Sequence, residues 1–240
     1  MSKTVRAILF DSGRVLNRSA AGNWFITPNF FKYVDRQTFD SIPKAKRDMA
    51  FKKAGEYISS KGLIKTEEEE FFHFLQYYKV LFEYLPEIII DSEKTEQVAR
   101  DLVYNYDKYV FFKDATEVIP GLSKSYLLAV VSDAWPSLEN VFKKAGLRDY
   151  FKSFVVSSVI GVRKPDELMY STALKELGVS PGEAIFIDDN FKNCDGAKKL
   201  GIQSFVLCRD LRVYWLFKIF LRNHRVIRSL YDINGYLQGN

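Results

Sequence analysis

Ile8-Leu9-Phe10-Asp11-Ser12-Gly13-Arg14-Val15-Leu16 decides how this chain is read. An apolar run of strand character, Val5 to Phe10, ends on one carboxylate, and the chain then turns at once through Gly13. A single Asp after a strand is most often a turn former or a helix cap. What lifts Asp11 above that default is a set of later pieces with the same placement. Ser132 closes the apolar run Leu127 to Val131, Lys164 stands between Gly161-Val162-Arg163 and Pro165, and Asp188-Asp189 follows Ile185-Phe186-Ile187.

Working outward, strand-like and helix-like segments alternate from residue 114 on. Leu127 to Val131, Phe154 to Val156, Ala184 to Ile187 and Gln203 to Leu207 read as strands, the last named being the final one. Ser137 to Gly146, Asp166 to Gly178 and Asn193 to Leu200 read as helices, and Pro120-Gly121 reads as a turn. That alternation predicts an α/β fold with a doubly wound parallel sheet. Such sheets bind ligands beyond the carboxyl ends of their strands, where Asp11, Ser132 and Asp188 all fall. Residues 17–113 change to helical period and are rich in aromatics. Lys44 to Ser60 places Ala45, Met49, Ala54, Tyr57 and Ile58 on one face. Thr66-Glu67-Glu68-Glu69 fits a capping box opening a second helix that stops before Pro86, and a third starts near Ser92. The expected organisation is therefore a core of residues 1–16 and 114–240 with an all-helical insertion of residues 17–113, whose aromatic stripe serves packing.

Composition narrows the classes. The 240 residues are 47% hydrophobic, enough for a sizeable core. The chain has no uncharged apolar run of about 18 residues, and its N-terminus lacks the pattern of a signal peptide. Cys194 and Cys208 read as free thiols, and together with the missing leader they suggest a cytoplasmic setting. The net charge is +5, concentrated in a tail carrying Arg209, Arg212, Lys218, Arg222, Arg225 and Arg228 among Tyr214, Trp215, Phe217 and Phe220. Nucleic acid or an anionic membrane would suit that pattern. A partly buried helix whose long cations reach solvent suits it better, so neither partner is expected.

The chemistry follows from the residue types. A carboxylate such as Asp11 can attack phosphorus and split one hard displacement into two. Adjacent carboxylates at another strand end supply the oxygen donors that a hard divalent ion selects. The bland alternative for Asp188-Asp189 is a cap for the helix beginning near Lys192. The Ser132 hydroxyl suits a phosphate oxygen. A fixed Lys164 ammonium would offset charge on the nucleophile and on a transferring phosphoryl group.

Taken together these segments resemble the haloacid dehalogenase-like hydrolases, a superfamily of mostly phosphatases. Phe10 to Leu16 looks like its first motif, Val131-Ser132-Asp133 its second, Gly161 to Asp166 its third, and Phe186 to Asn190, running on to Asn193, Gly196, Ala197 and Leu200-Gly201, its fourth. The insertion directly after the first motif matches the family's helical cap, where Arg18, Trp24, Lys32 and Tyr57 are candidate substrate contacts. The resemblance implies a Mg²⁺-dependent hydrolase of a small phosphorylated metabolite. Asp11, Ser132 and Lys164 would be catalytic; Ser132, Asp133, Lys164 and Arg14 would bind substrate. Asp11, the Gly13 carbonyl and Asp189 would hold the metal, with Asp188 close by. One departure stands out: many such phosphatases carry a second Asp at the position of Gly13 as general acid and base, and that carboxylate is missing here. Two alternatives therefore stay open, a 2-haloacid dehalogenase, whose halide leaves without a proton, and a catalytically silent binding protein.

Overall fold

The computed structural model describes residues 4–238. In chain order, β1 (Ala7–Phe10) and β2 (Asn17–Ser19) lead into helices α1 (Phe30–Tyr33), α2 (Arg36–Ser41), α3 (Lys44–Ser59), α4 (Glu67–Glu83) and α5 (Ser92–Tyr104). Next come β3 (Tyr109–Phe111), α6 (Lys113–Leu122), β4 (Leu127–Ser132), α7 (Ser137–Lys144), β5 (Ser153–Val156), α8 (Ser157–Ile160) and α9 (Glu167–Leu177). The last part holds β6 (Ala184–Asp188), α10 (Phe191–Lys199), β7 (Gln203–Leu207), α11 (Leu211–Phe220), β8 (Arg225–Ile227) and α12 (Tyr231–Gln238). The chain divides into two compact units. One comprises Met1–Arg18, Phe111–Ala134 and Phe142–Asn240; the other comprises Ser19–Val110 and Trp135–Val141.

The first unit is an α/β domain around a parallel six-stranded sheet of order β5-β4-β1-β6-β7-β8. β1 lies at its centre because all four of its residues are apolar and sealed from water, as a strand covered on both faces requires. Side chains alternate between the faces. Ala7, Leu9, Ala129, Val131 and Phe186 pack with Met169, Tyr170, Ala173 and Leu174 of α9, while the Phe10 ring meets Phe151 edge-on on the other side. Burying each large side chain of α9 contributes roughly 1.5–3 kcal/mol. That helix is delimited by Asp166, which accepts from the Leu168 N–H, and by Gly178 in the left-handed region at φ 63°. From β1 the chain crosses first to β4 and β5 on one side, then to β6 on the other. The reversal of winding therefore flanks β1, where a ligand site is expected.

The second unit is mainly helical. Its core joins Phe30, Phe39, Ala54, Ile58, Phe74, Tyr77, Tyr78, Leu81, Val98 and Leu102, with Trp135 and Phe25 packed against them. Thr66 caps α4 by accepting from the Glu69 N–H, as the sequence predicts. A buried polar knot lies inside. Both Glu70 carboxylate oxygens accept from Ser137, one from its N–H and one from its hydroxyl, each at 2.7 Å. The Lys108 ammonium donates to Ser137 Oγ and to the Leu102 carbonyl. Burial pushes the Glu70 carboxyl up and the Lys108 ammonium down, and each offsets the other's shift.

Several local expectations are corrected. Pro120-Gly121 is no turn: α6 runs through both, burying Ala115, Val118, Ile119 and Leu122. A proline this close to a helix C-terminus removes only one ladder bond, and that apolar face outweighs the loss. Met49 is 51% exposed, and α3 instead buries Ala50, Ala54 and Ile58. The stretch 17–113 is not wholly helical, since β2 and β3 pair as a separate two-stranded sheet at its ends. β7 is not the last strand, because β8 pairs with it in parallel. Residues 135–141, expected in the core, belong to the helical unit. No helix among the described residues is long and apolar enough to cross a membrane.

Candidate active site

Three neighbouring strands deliver the site. β4, β1 and β6 are adjacent and parallel, so Ser132, Asp11 and Asp188 emerge at the same edge of the sheet. Asp189 follows directly, and carboxylate oxygens of Asp11, Asp188 and Asp189 lie within 4.8 Å of one another. The Lys164 ammonium sits among them, 2.6 Å from Asp11 Oδ1 and 2.7 Å from Asp188 Oδ2, with its side chain only 1% exposed.

The loop bearing Lys164 is fixed from several directions. Asp133 Oδ1 accepts from the Lys164 backbone N–H at 3.0 Å, joining the end of β4 to the third segment. The Lys164–Pro165 peptide is cis. The helix expected to start at Asp166 opens one residue later, at Glu167, with Asp166 as its cap. Gly196 lies against this turn: a Cβ there would come within 2.6 Å of Pro165 Cβ and 3.0 Å of the Tyr170 hydroxyl. The fourth segment is held by its own short bonds. Asp188 Oδ1 accepts from the Asn190 N–H, and Oδ2 accepts from Asn193 Nδ2 as well as from Lys164. The helix cap at this point is Asn190, which accepts from the Lys192 N–H. Neither acid of the pair is spent on that task.

Charge does not balance here. One ammonium faces three carboxylates in a largely dry setting. Burial pushes Asp11 up to about 7 despite the opposing Lys164, with Asp188 and Asp189 adding to the rise. Asp189 is raised by burial and by Asp188, and Arg14 offsets part of this. Burial alone would depress Lys164, but Asp11 and Asp188 outweigh it and hold the ammonium well above the ordinary lysine value. Asp133 is raised by burial, with Lys164 opposing. Asp188 already carries three protein donors, whereas among the described residues Asp189 meets only the exposed Arg14 guanidinium, at 3.5 Å. Such a donor set, all hard oxygen with surplus negative charge, fits a divalent cation such as Mg²⁺.

Gly13 and Arg14 form the turn after Asp11. Arg14 adopts φ 62°, and its N–H donates to the Asn17 carbonyl at 2.6 Å. Three contributors escaped the sequence reading. Asn17, fully buried, donates from Nδ2 to Ser12 Oγ at 2.7 Å. Arg209 donates to the Arg14 and Val15 carbonyls and pairs with both Asp114 oxygens at 2.9 and 3.0 Å. Arg209 and Asp114 come from distant positions with no local motif, and Asn17 from five residues past Ser12. Two of the candidate contacts in the insertion have structural partners: the Trp24 ring meets Tyr109 edge-on and the Tyr57 hydroxyl faces His73.

The family model for haloacid dehalogenase-like hydrolases matches residues 44–207. The chain is 29% identical over 122 residues to a glyceraldehyde 3-phosphate phosphatase of Methanopyrus kandleri, covering 47% of this chain and 51% of that protein. It is 28% identical over 123 residues to a phosphoserine phosphatase of Thermus thermophilus, covering 50% of this chain and 49% of that one. The chain thus spans about half the length of these curated relatives. The fold is similar to that of the L-2-haloacid dehalogenase of Xanthobacter autotrophicus, with a TM-score of 0.67 at 17% identity over 98% of this chain and 99% of that one. With four ordered segments converging at one sheet edge and a family match over most of its length, this chain belongs to the haloacid dehalogenase-like hydrolases.

Proposed function

We propose that this hydrolase is a Mg²⁺-dependent phosphatase of small phosphomonoesters, with Asp11 as its nucleophile. The observation that carries the reading is the imbalance of one buried ammonium against three clustered carboxylates. A phosphomonoester dianion would be repelled from such a site, and a bound divalent cation removes the repulsion. Displacement of halide from carbon brings in no dianion and needs no cation. Asp11, Asp189 and the Gly13 carbonyl would hold the metal, with Asp188 orienting Lys164. The cation supplies charge neutralisation on the phosphoryl oxygens.

An Asp11 oxygen attacks phosphorus, the ester P–O bond breaks, and the leaving oxygen departs with the bonding pair and takes up a proton from water. Lys164 stabilises both the nucleophile and the charge developing on the transferred group. The Ser132 hydroxyl donates to a phosphoryl oxygen. Asp133 fixes the Lys164 backbone by accepting from its N–H, and Arg14, beside Asp189, would pair with the outer phosphate oxygens. Water then attacks the aspartyl phosphate, releasing inorganic phosphate and regenerating the Asp11 carboxylate. The substrate class is sugar phosphates and comparable small metabolites.

Phosphate release from a panel of such esters with Mg²⁺ tests this. Turnover lost on EDTA treatment and in Asp11→Asn supports it. The missing carboxylate at Gly13 favours one rival, the 2-haloacid dehalogenase. Chloride release from 2-chloropropionate without metal, together with inert phosphate esters, would replace the phosphatase reading by that one.

A further inference from the structure

The basic tail does not fold as its composition suggests. α11 turns Tyr214 and Phe217 toward a small cluster of Cys194, Val206, Cys208 and Val226. None of its ten residues is buried. Trp215, Leu216, Ile219 and Phe220 are 59, 51, 55 and 76% exposed, and they fall on the side away from that cluster. Four large apolar side chains on one solvent-facing helix are more than the scattered single residues a surface normally shows.

The charges around them have one sign. Arg212 shares the outward face with Leu216 and Ile219, and Arg222, just past the helix end at Phe220, donates from Nε to the Ile219 carbonyl. Lys218 and Arg228 lie over the Tyr214 ring and Arg225 over the Tyr236 ring, and the sequence holds no Asp or Glu between Asp210 and Asp232. An exposed apolar helix face flanked by Arg212 and Arg222 in a stretch free of acids matches the boundary between acyl chains and anionic headgroups, where the apolar groups sink and the guanidinium groups meet phosphate. A ten-residue helix is about 15 Å long, half the hydrocarbon thickness, so it suits lying in the plane of the surface. A folded protein partner would need carboxylates set between apolar pockets in matching register, whereas mobile lipid headgroups satisfy the same charges without a preformed shape.

We propose that α11 is a peripheral docking element for an anionic lipid surface, inserting Trp215, Leu216, Ile219 and Phe220 below the headgroups while Arg212 and Arg222 pair with lipid phosphates. This holds whatever the substrate of the α/β unit, and it revises the expectation of no membrane partner, which assumed that the apolar residues of the tail pack inward.

Flotation of the full chain with vesicles is the test. Binding is expected to vesicles of phosphatidylcholine with phosphatidylglycerol, to weaken roughly tenfold or more on neutral phosphatidylcholine or in high salt, and to shift tryptophan emission to the blue. Trp215→Ser with Phe220→Ser should abolish flotation, and Arg212→Gln with Arg222→Gln should remove the preference for anionic lipid. All four residues are exposed, so circular dichroism and thermal melting in lipid-free buffer are expected to match the parent and show that the fold is intact. No flotation with anionic vesicles at low salt overturns the proposal. So does flotation unaffected by either pair, or sedimentation equilibrium showing that the same face instead joins two copies of the chain and stays closed to lipid.

Discussion

Replacing Asp11 by Asn is expected to abolish turnover and yet to stabilise the metal-free fold above neutral pH. The Asp11 carboxyl is 8% exposed, and burial raises its pKa from an ordinary 3.8 to about 7. A carboxyl whose folded pKa is raised binds its proton more tightly in the native state. Its contribution to stability is therefore full below the unfolded value and is lost as pH rises through about 7. A rise of about three pH units corresponds to about 4 kcal/mol, of which about 3 kcal/mol falls between about pH 5 and 8. Asn keeps the shape of the protonated acid and does not titrate. In a domain of this size 1 kcal/mol moves the melting temperature by about 2–4 °C, so the variant should gain roughly 6–12 °C on the parent across that range. Thermal melts of both proteins in EDTA at several pH values measure it. Added Mg²⁺ at the alkaline end should raise the parent and leave the variant nearly unmoved, since the ligand oxygen is gone. Parallel pH profiles would refute the reasoning, because they would mean that Lys164 keeps Asp11 ionised throughout.

With no carboxylate at Gly13 to protonate the departing oxygen, turnover should fall steeply as the leaving group becomes more basic, p-nitrophenyl phosphate outrunning alkyl phosphates. Gly13→Asp should flatten that dependence and raise alkyl phosphate turnover by up to about 10²-fold. Gly196→Ala drives a methyl group into Pro165, and the cost is expected to be about 1–3 kcal/mol by chemical denaturation with a marked loss of kcat, because the displaced turn carries Lys164. Lys108→Met leaves Glu70 buried without its cation and should destabilise the chain by about 3–5 kcal/mol; Lys108→Met combined with Glu70→Gln should recover most of that loss in the same denaturant titration.

The sheet was legible because its strands are buried on both faces. Such strands need uninterrupted apolar runs, and Ala7 to Phe10 and Leu127 to Val131 are such runs. Asp11, Ser132 and Asp188 were legible because a strand end fixes where the next side chain goes. β8 escaped notice because three residues, Arg225-Val226-Ile227, are too short to show a period, and their burial depends on β7 lying beside them. Pro120 misled because a proline signals a break only where its missing N–H matters. Arg209 and Asp114 could not be found locally, since each acts on a residue brought near by the fold, Arg209 and Arg14 being 195 positions apart; Asn17 is five positions from Ser12, but nothing in its residue type marks it as a partner. The outward face of α11 was hidden for a related reason. Composition counts apolar residues without saying which of them have anything to lean on.

Arg209 sits at an unusual junction. The same guanidinium that grips the carbonyls of Arg14 and Val15 and the carboxylate of Asp114 stands two residues ahead of α11. One planar group thus ties the segment entering that helix to the backbone three and four residues past Asp11, so that two stretches nearly two hundred positions apart share a single anchor.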